Sequence, residues 1–103
     1  MPSSDVRRRI GQVLWPALRC SRGEAGIDAL APLLEEFPPG GVIVFGEGVE
    51  RVDRLIAALR LRARGDLLVS SDLERGAGQQ VRELSSLPPA MALAACPAPD
   101  AAR

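Results

Sequence analysis

Two short runs of the chain are wholly apolar and uncharged: Val42-Ile43-Val44-Phe45 and Leu67-Leu68-Val69. Continuous runs of this length, without polar alternation, are the pattern of strands buried on both faces of a parallel sheet. Between them Val49, Val52, Leu55, Ile56, Leu59 and Ala63 recur at helical spacing. The other side of that helix carries Glu50, Arg51, Asp53, Arg54, Arg60, Arg62 and Arg64, which reads as a solvated face. Glu50 stands four residues before Arg54, the favourable order for an ion pair. Gly65 follows as a C′ residue. The spacing therefore predicts a βαβ unit, in which 42–45 and 67–71 are adjacent, parallel strands joined by a helix at about 50–64.

Earlier in the chain, Ser3, Ser4 and Asp5 are good N-caps, and Val6, Ile10, Val13 and Leu14 follow at helical spacing. A helix from about residue 4 must end by Trp15, because Pro16 pushes the residue before it out of the helical region. Val13 to Leu18 reads equally as a short first strand. Trp15 is expected as a core anchor. Ile27, Leu30, Leu33, Leu34 and Phe37 share one helical face, with Pro32 tolerable only in a first turn. Pro38, Pro39, Gly40 and Gly41 stop that element. After Val81 the pattern is irregular, with a turn at Leu87-Pro88-Pro89, one helical turn at 90–95, and a Pro/Ala-rich tail at 96–103.

The expected fold is α/β, with two or three parallel strands and their crossover helices over 4–95. So few strands leave sheet edges open, which predicts marginal stability and self-association through those edges. It also predicts that the chain is the opening portion of a larger domain.

Composition narrows the chemistry. Charges balance, 13 basic against 13 acidic, so neither nucleic acid nor an anionic membrane is an expected partner. Only 3% of residues are aromatic, so Leu, Val, Ile and Ala must build the core. The absence of His rules out Ser-His-Asp or Cys-His catalysis and His metal sites within these residues. Two cysteines, Cys20 and Cys96, are too few for a disulfide framework or a Cys-rich zinc site, and are expected as reduced thiols. No cofactor or metal is expected. No signal-like leader and no apolar run near 18 residues is present, so a cytoplasmic location is expected. Gly46-Glu47-Gly48 is a turn and lacks the offsets of a phosphate-binding loop.

The strand at 67–71 runs into Asp72 and Glu74, then Gly76 and Gly78. In parallel α/β folds ligands bind beyond the carboxyl ends of the strands. An acid there is catalytic, ligand-binding, or a cap for the next segment.

Four stretches carry a family resemblance: Ile10-Gly11-Gln12-Val13-Leu14, Gly40-Gly41-Val42-Ile43-Val44-Phe45, Leu67-Leu68-Val69-Ser70-Ser71-Asp72-Leu73-Glu74, and Leu87-Pro88-Pro89-Ala90-Met91-Ala92-Leu93. In order and spacing they resemble the N-terminal domain of glycoside hydrolase family 3, of the β-N-acetylhexosaminidase type with β-glucosidases as relatives. The resemblance implies the first third of a (β/α)8 barrel and a β-linked sugar as ligand. It further implies a retaining mechanism whose nucleophile and acid/base are not among these residues, so the chain is expected to be inactive alone. By the same resemblance Asp72 binds sugar hydroxyls, and Glu74 and Gly76 hold the loop. Gln80 stands where hexosaminidases carry a substrate-binding Arg, and is a second candidate for the sugar. Arg75 replaces the family's first loop glycine, and Glu47-Gly48 its Arg-Asn.

Overall fold

The computed structural model describes residues 1–63 and 65–97. Arg64, read as part of a helix face, and 98–103, most of the expected tail, lie outside the described residues. Three parallel strands form one open sheet: β1 at Ala17–Arg19, β2 at Gly41–Phe45 and β3 at Leu68–Ser70. They lie side by side in chain order, β1-β2-β3. Ala17 pairs with Ile43 and Ile43 with Ser70, so these three residues make one row across the sheet. The expected adjacency of the two apolar runs is found.

Helix α1, Ser4–Gln12, starts where the sequence indicates. The Ser3 hydroxyl accepts from the Val6 N–H at 3.3 Å, and Asp5 sits in the first turn. Both readings of the next stretch are realised in succession, the helix first and then β1 directly after Pro16. The apolar stripe of α1, however, is not core. Val6 and Ile10 stay 42% and 40% exposed, and Val13 76%.

The helical face expected over 27–37 is two short helices, α2 at Glu24–Asp28 and α3 at Ala31–Glu36. Pro32 lies in the first turn of α3, where its missing N–H costs no hydrogen bond. A continuous helix would have placed it mid-element. The long helix α4, Val49–Arg62, matches its amphipathic pattern. The Ala63 that ends it is extended, and Gly65, at φ 121°, lies one place beyond the C′ position expected for it. Among the described residues one ion pair of α4 reaches across to α2 and one runs back four residues to the turn before the helix. Arg62 meets Asp28 at 2.7 Å, and Arg51 lies 3.8 Å from Glu47. A final helix α5 occupies Ala90–Ala94.

Side chains alternate across a strand, so the register divides the sheet into two faces. Leu18, Val42, Val44 and Val69 share one face. There they meet Ile27 of α2, Leu30, Leu34 of α3, and Leu55 and Leu59 of α4. The buried core is this one layer. Ala17, Arg19, Ile43, Phe45, Leu68 and Ser70 project from the opposite face, where none is fully buried and Leu68 is 62% exposed. The strands were expected to be covered on both sides; they are covered on one. Trp15, expected as a core anchor, is instead 38% exposed and stacks on the amino end of the bare face, where its ring leaves no room for a Cβ on Gly41. The radius of gyration, 17.3 Å, exceeds the roughly 13 Å of a compact domain of this length. Among the described residues, no helix is long and apolar enough to cross a membrane.

Candidate functional site

Parallel strands bring their carboxyl ends to one edge. Here that edge gathers Arg19 at the end of β1 with Cys20 after it, Gly46 to Gly48 after β2, and Ser71, Asp72 and the loop 73–87 after β3. Two serines fasten β3 to its neighbour. Ser70 Oγ donates to the Val42 carbonyl at 3.2 Å and Ser71 Oγ to the Val44 carbonyl at 2.8 Å. Asp72 therefore leaves the sheet from a well-held position. It is exposed, and its carboxylate takes no hydrogen bond from the described residues, so it does not cap the loop.

Glu74 is occupied differently. Its Oε1 accepts from the Gln79 Nε2 at 3.0 Å, and Gln79 Oε1 in turn accepts from the Arg75 N–H at 3.0 Å. The Gln79 amide, and after it Glu74's own backbone, hold the carboxyl below its ordinary range. Gly76 turns the loop at φ 84°, with the Ser85 carbonyl 2.9 Å from where a Cβ would stand. These partners tie both residues to the loop itself.

Gln80 faces the β2 turn. Its Oε1 accepts from the Gly46 N–H at 2.9 Å, and its backbone carbonyl accepts from the Glu47 N–H at 3.1 Å. Val81 and Glu47 form a parallel bridge. The Arg82 guanidinium pairs with Glu47 Oε1, and Glu83 Oε2 accepts from the Val49 N–H at 2.9 Å, on the first turn of α4. Loop 77–84 is thereby stitched to the turn 46–49. Gly46 and Gly48 make the approach possible, since a Cβ on Gly46 would collide with the Gln80 carbonyl and one on Gly48 would lie 2.8 Å from Glu83. The glycines flanking Glu47 thus serve close contact between two loops. Glu47, Arg82 and Glu83 gave no sign of this in the sequence, where they are single charges in irregular stretches more than thirty positions apart.

A shallow cleft of about 350 Å³ lies at this seam, lined by Gly46, Glu47, Gly78, Gln79, Gln80 and Arg82. Asp72 does not line it. A larger cleft, about 990 Å³, opens at the opposite end of the molecule beside α1, between Arg7, Arg9 and Gln12 on one side and Glu35, Glu36 and Asp66 on the other. Its mixed charges neutralise each other.

Cys20 closes the carboxyl end of β1 and is fully buried. Burial, reinforced by the negative charge of Glu47 and opposed by Arg51, pushes its thiol up, so it is an inert core residue rather than a nucleophile. Among the described residues no three acidic or thiol groups converge to hold a metal ion. No family model, curated protein or solved structure matches this chain. The class defined by the fold is a three-stranded, parallel α/β sheet with its core on one face.

Proposed function

We propose that the chain is a sector of a (β/α)8-type barrel of the family 3 glycosidase kind, in which Asp72 recognises the hydroxyls of a β-linked sugar. The observation that carries this reading is the sidedness of the sheet. Strands in chain order with their core helices on a single face are the arrangement of a barrel wall, whose bare face turns inward. Asp72 stands beyond the carboxyl end of β3, the position from which barrels present ligand-binding groups. A carboxylate suits a sugar because both oxygens accept from hydroxyl donors at charge-assisted strength. Gln80 is a poorer sugar ligand than Asp72 in this reading, because its carbonyl oxygen is engaged with Gly46. In this reading bond cleavage falls to groups outside these residues, because the chain contains no His and the described residues bring no pair of carboxylates face to face for retaining chemistry.

The test is ligand-observed NMR of the full chain with N-acetylglucosamine and glucose, beside hydrolysis assays on the aryl β-glycosides. The expected outcome is weak, saturable binding with no turnover. Asp72→Ala abolishes the binding and leaves the melting temperature unchanged. Binding that survives Asp72→Ala, or no binding of either sugar at millimolar protein and ligand, removes the sugar reading.

A further inference from the structure

Among the described residues no further strand pairs with either edge of the sheet, and the two edges are complementary. The Ile43 N–H donates to the Pro16 carbonyl at 2.9 Å and the Leu68 N–H to the Gly40 carbonyl at 3.1 Å. Backbone groups of successive strand residues point to alternate sides. Ala17 of β1 therefore turns its N–H and C=O away from the sheet, and so do Val69 and Ser71 at β3. In a parallel ladder a residue bonds to the two that flank its opposite number. Ala17 can thus bond to Val69 and Ser71 when it lies opposite Ser70. That register repeats one the molecule already uses, since Ala17 and Ser70 both lie opposite Ile43. It also keeps the bare faces of the two sheets on the same side.

The same register sets Arg19 directly opposite Asp72. Both are exposed; Arg19 belongs to the bare face, and the alternation of β3 continued past Ser70 puts Asp72 on the same side. Directly opposed residues of paired strands have Cβ atoms about 5 Å apart, close enough for an ion pair. The alternative is a two-fold pairing of β3 with β3. Centred on Val69, it runs antiparallel and puts Asp66 of each copy opposite Asp72 of the other, four carboxylates in two repulsive pairs. Nothing on the edge 67–71, Leu-Leu-Val-Ser-Ser, blocks pairing: it carries no proline, no charge and no bulge, the usual protections of a free edge.

We infer that the β3 edge of one copy docks in parallel on the β1 edge of a second copy, with Asp72 and Arg19 as the cross-strand ion pair that sets the register. The contact is heterologous, so repetition closes a ring or extends a row of sheets. Both this contact and the sugar reading engage Asp72, and Arg19→Asp tells them apart, because it alters association while leaving Asp72 in place for the sugar.

Sedimentation of the full chain over a wide concentration range tests it. Mass is expected to rise with concentration above the 10.9 kDa monomer. Arg19→Asp and Asp72→Arg should each raise the dissociation constant about tenfold, through loss of the pair and gain of a like-charge contact. The double reversal, Arg19→Asp with Asp72→Arg, should restore association, as should mixing the two single variants. Circular dichroism identifies a variant that has merely unfolded; the remaining single reversal and the double reversal then carry the test, and a folded double reversal that stays monomeric counts against the pairing. A wild-type chain that stays monomeric throughout overturns the inference. So do single reversals without effect, or an Asp72→Arg variant that associates more tightly than wild type, which is the signature of β3 pairing with β3 through Asp66.

Discussion

Both faces of the sheet carry large apolar side chains, and they meet opposite circumstances. One carries Leu18, Val42, Val44 and Val69 into a closed layer with α2, α3 and α4. The other carries Ile43, Phe45 and Leu68 to a surface that, among the described residues, Trp15 relieves at one end and Arg19 at the other, its guanidinium 5.1 Å from the centre of the Phe45 ring. Hydrophobicity selects a strand for burial; it does not supply the element that does the burying. On the first face the chain provides its own cover through the crossovers. On the second the cover must come from elsewhere, from other barrel strands in the proposed function or from neighbouring copies in the assembly inferred above.

The sharpest way to break this comparison is to truncate one residue from each face. Leu55→Ala removes a fully buried side chain and leaves a cavity between α4 and the sheet. It is expected to cost about 2–5 kcal/mol, enough to unfold a chain with one thin core layer. Leu68→Ala on the bare face is expected to change stability of the dilute monomer by no more than about 0.5 kcal/mol. Urea denaturation of both variants checks this, and equal losses would mean that the bare face is covered in solution.

Next in size is the seam at the carboxyl edge. Gly46→Ala places a methyl group against the Gln80 carbonyl. Either the loop 77–84 is pushed off the turn or the end of β2 bends, at about 1–3 kcal/mol. Faster amide exchange at Glu47 and Arg82, with the core amides unaffected, is the expected signature. Exchange that is unchanged in the variant would show that the two loops already part freely. Gln80→Ala is milder. It leaves the Gly46 N–H without its side-chain acceptor, for about 0.5–1.5 kcal/mol, and the same exchange measurement should show a smaller effect at Gly46.

These predictions rest on features that differ in how far the sequence announces them. The strands β2 and β3, their parallel pairing and the helix between them are written in apolar run lengths and 3.6-residue spacing, which are local signals. Ser3 as a cap and Pro16 as a stop are local too. The break between α2 and α3 is legible only in part. Pro32 signals that a helix starts close before it, yet the apolar residues on either side keep one continuous period, so the separate α2 ahead of it leaves no local mark. Exposure of Val6, Ile10 and Leu68 is not legible, because it depends on what lies opposite in space. The seam is hidden for the same reason. Glu83 sits thirty-four positions from the Val49 N–H that it receives, and no spacing rule links residues so far apart. Asp72 stands out because a strand ends there, while its lack of a partner among the described residues is visible only in three dimensions.

The smallest expected effect concerns that same Glu83, and it distinguishes a stitched seam from two loops that merely lie close. The carboxylate accepts from the Val49 N–H at the first turn of α4, where the helix also presents the positive end of its dipole. That hydrogen bond, and next Glu83's own backbone, hold the carboxyl below its ordinary value of 4.5. A group whose folded value is depressed binds fewer protons folded than unfolded across the interval between the two values. Its contribution is therefore complete above the unfolded value and is lost as pH falls through the folded one. Glu83→Gln keeps an oxygen that can accept from Val49 and removes the titration. The variant should melt slightly below wild type at neutral pH, and the two melting curves should converge as the pH falls below the ordinary carboxylate value of 4.5. Glu74, lowered in the same direction by Gln79, titrates in both proteins and cancels in the difference. A gap that persists undiminished at the acid end would mean that the charge of Glu83 does not act through Val49, and that the loop 77–84 is held by Gln80 and Glu47 without it.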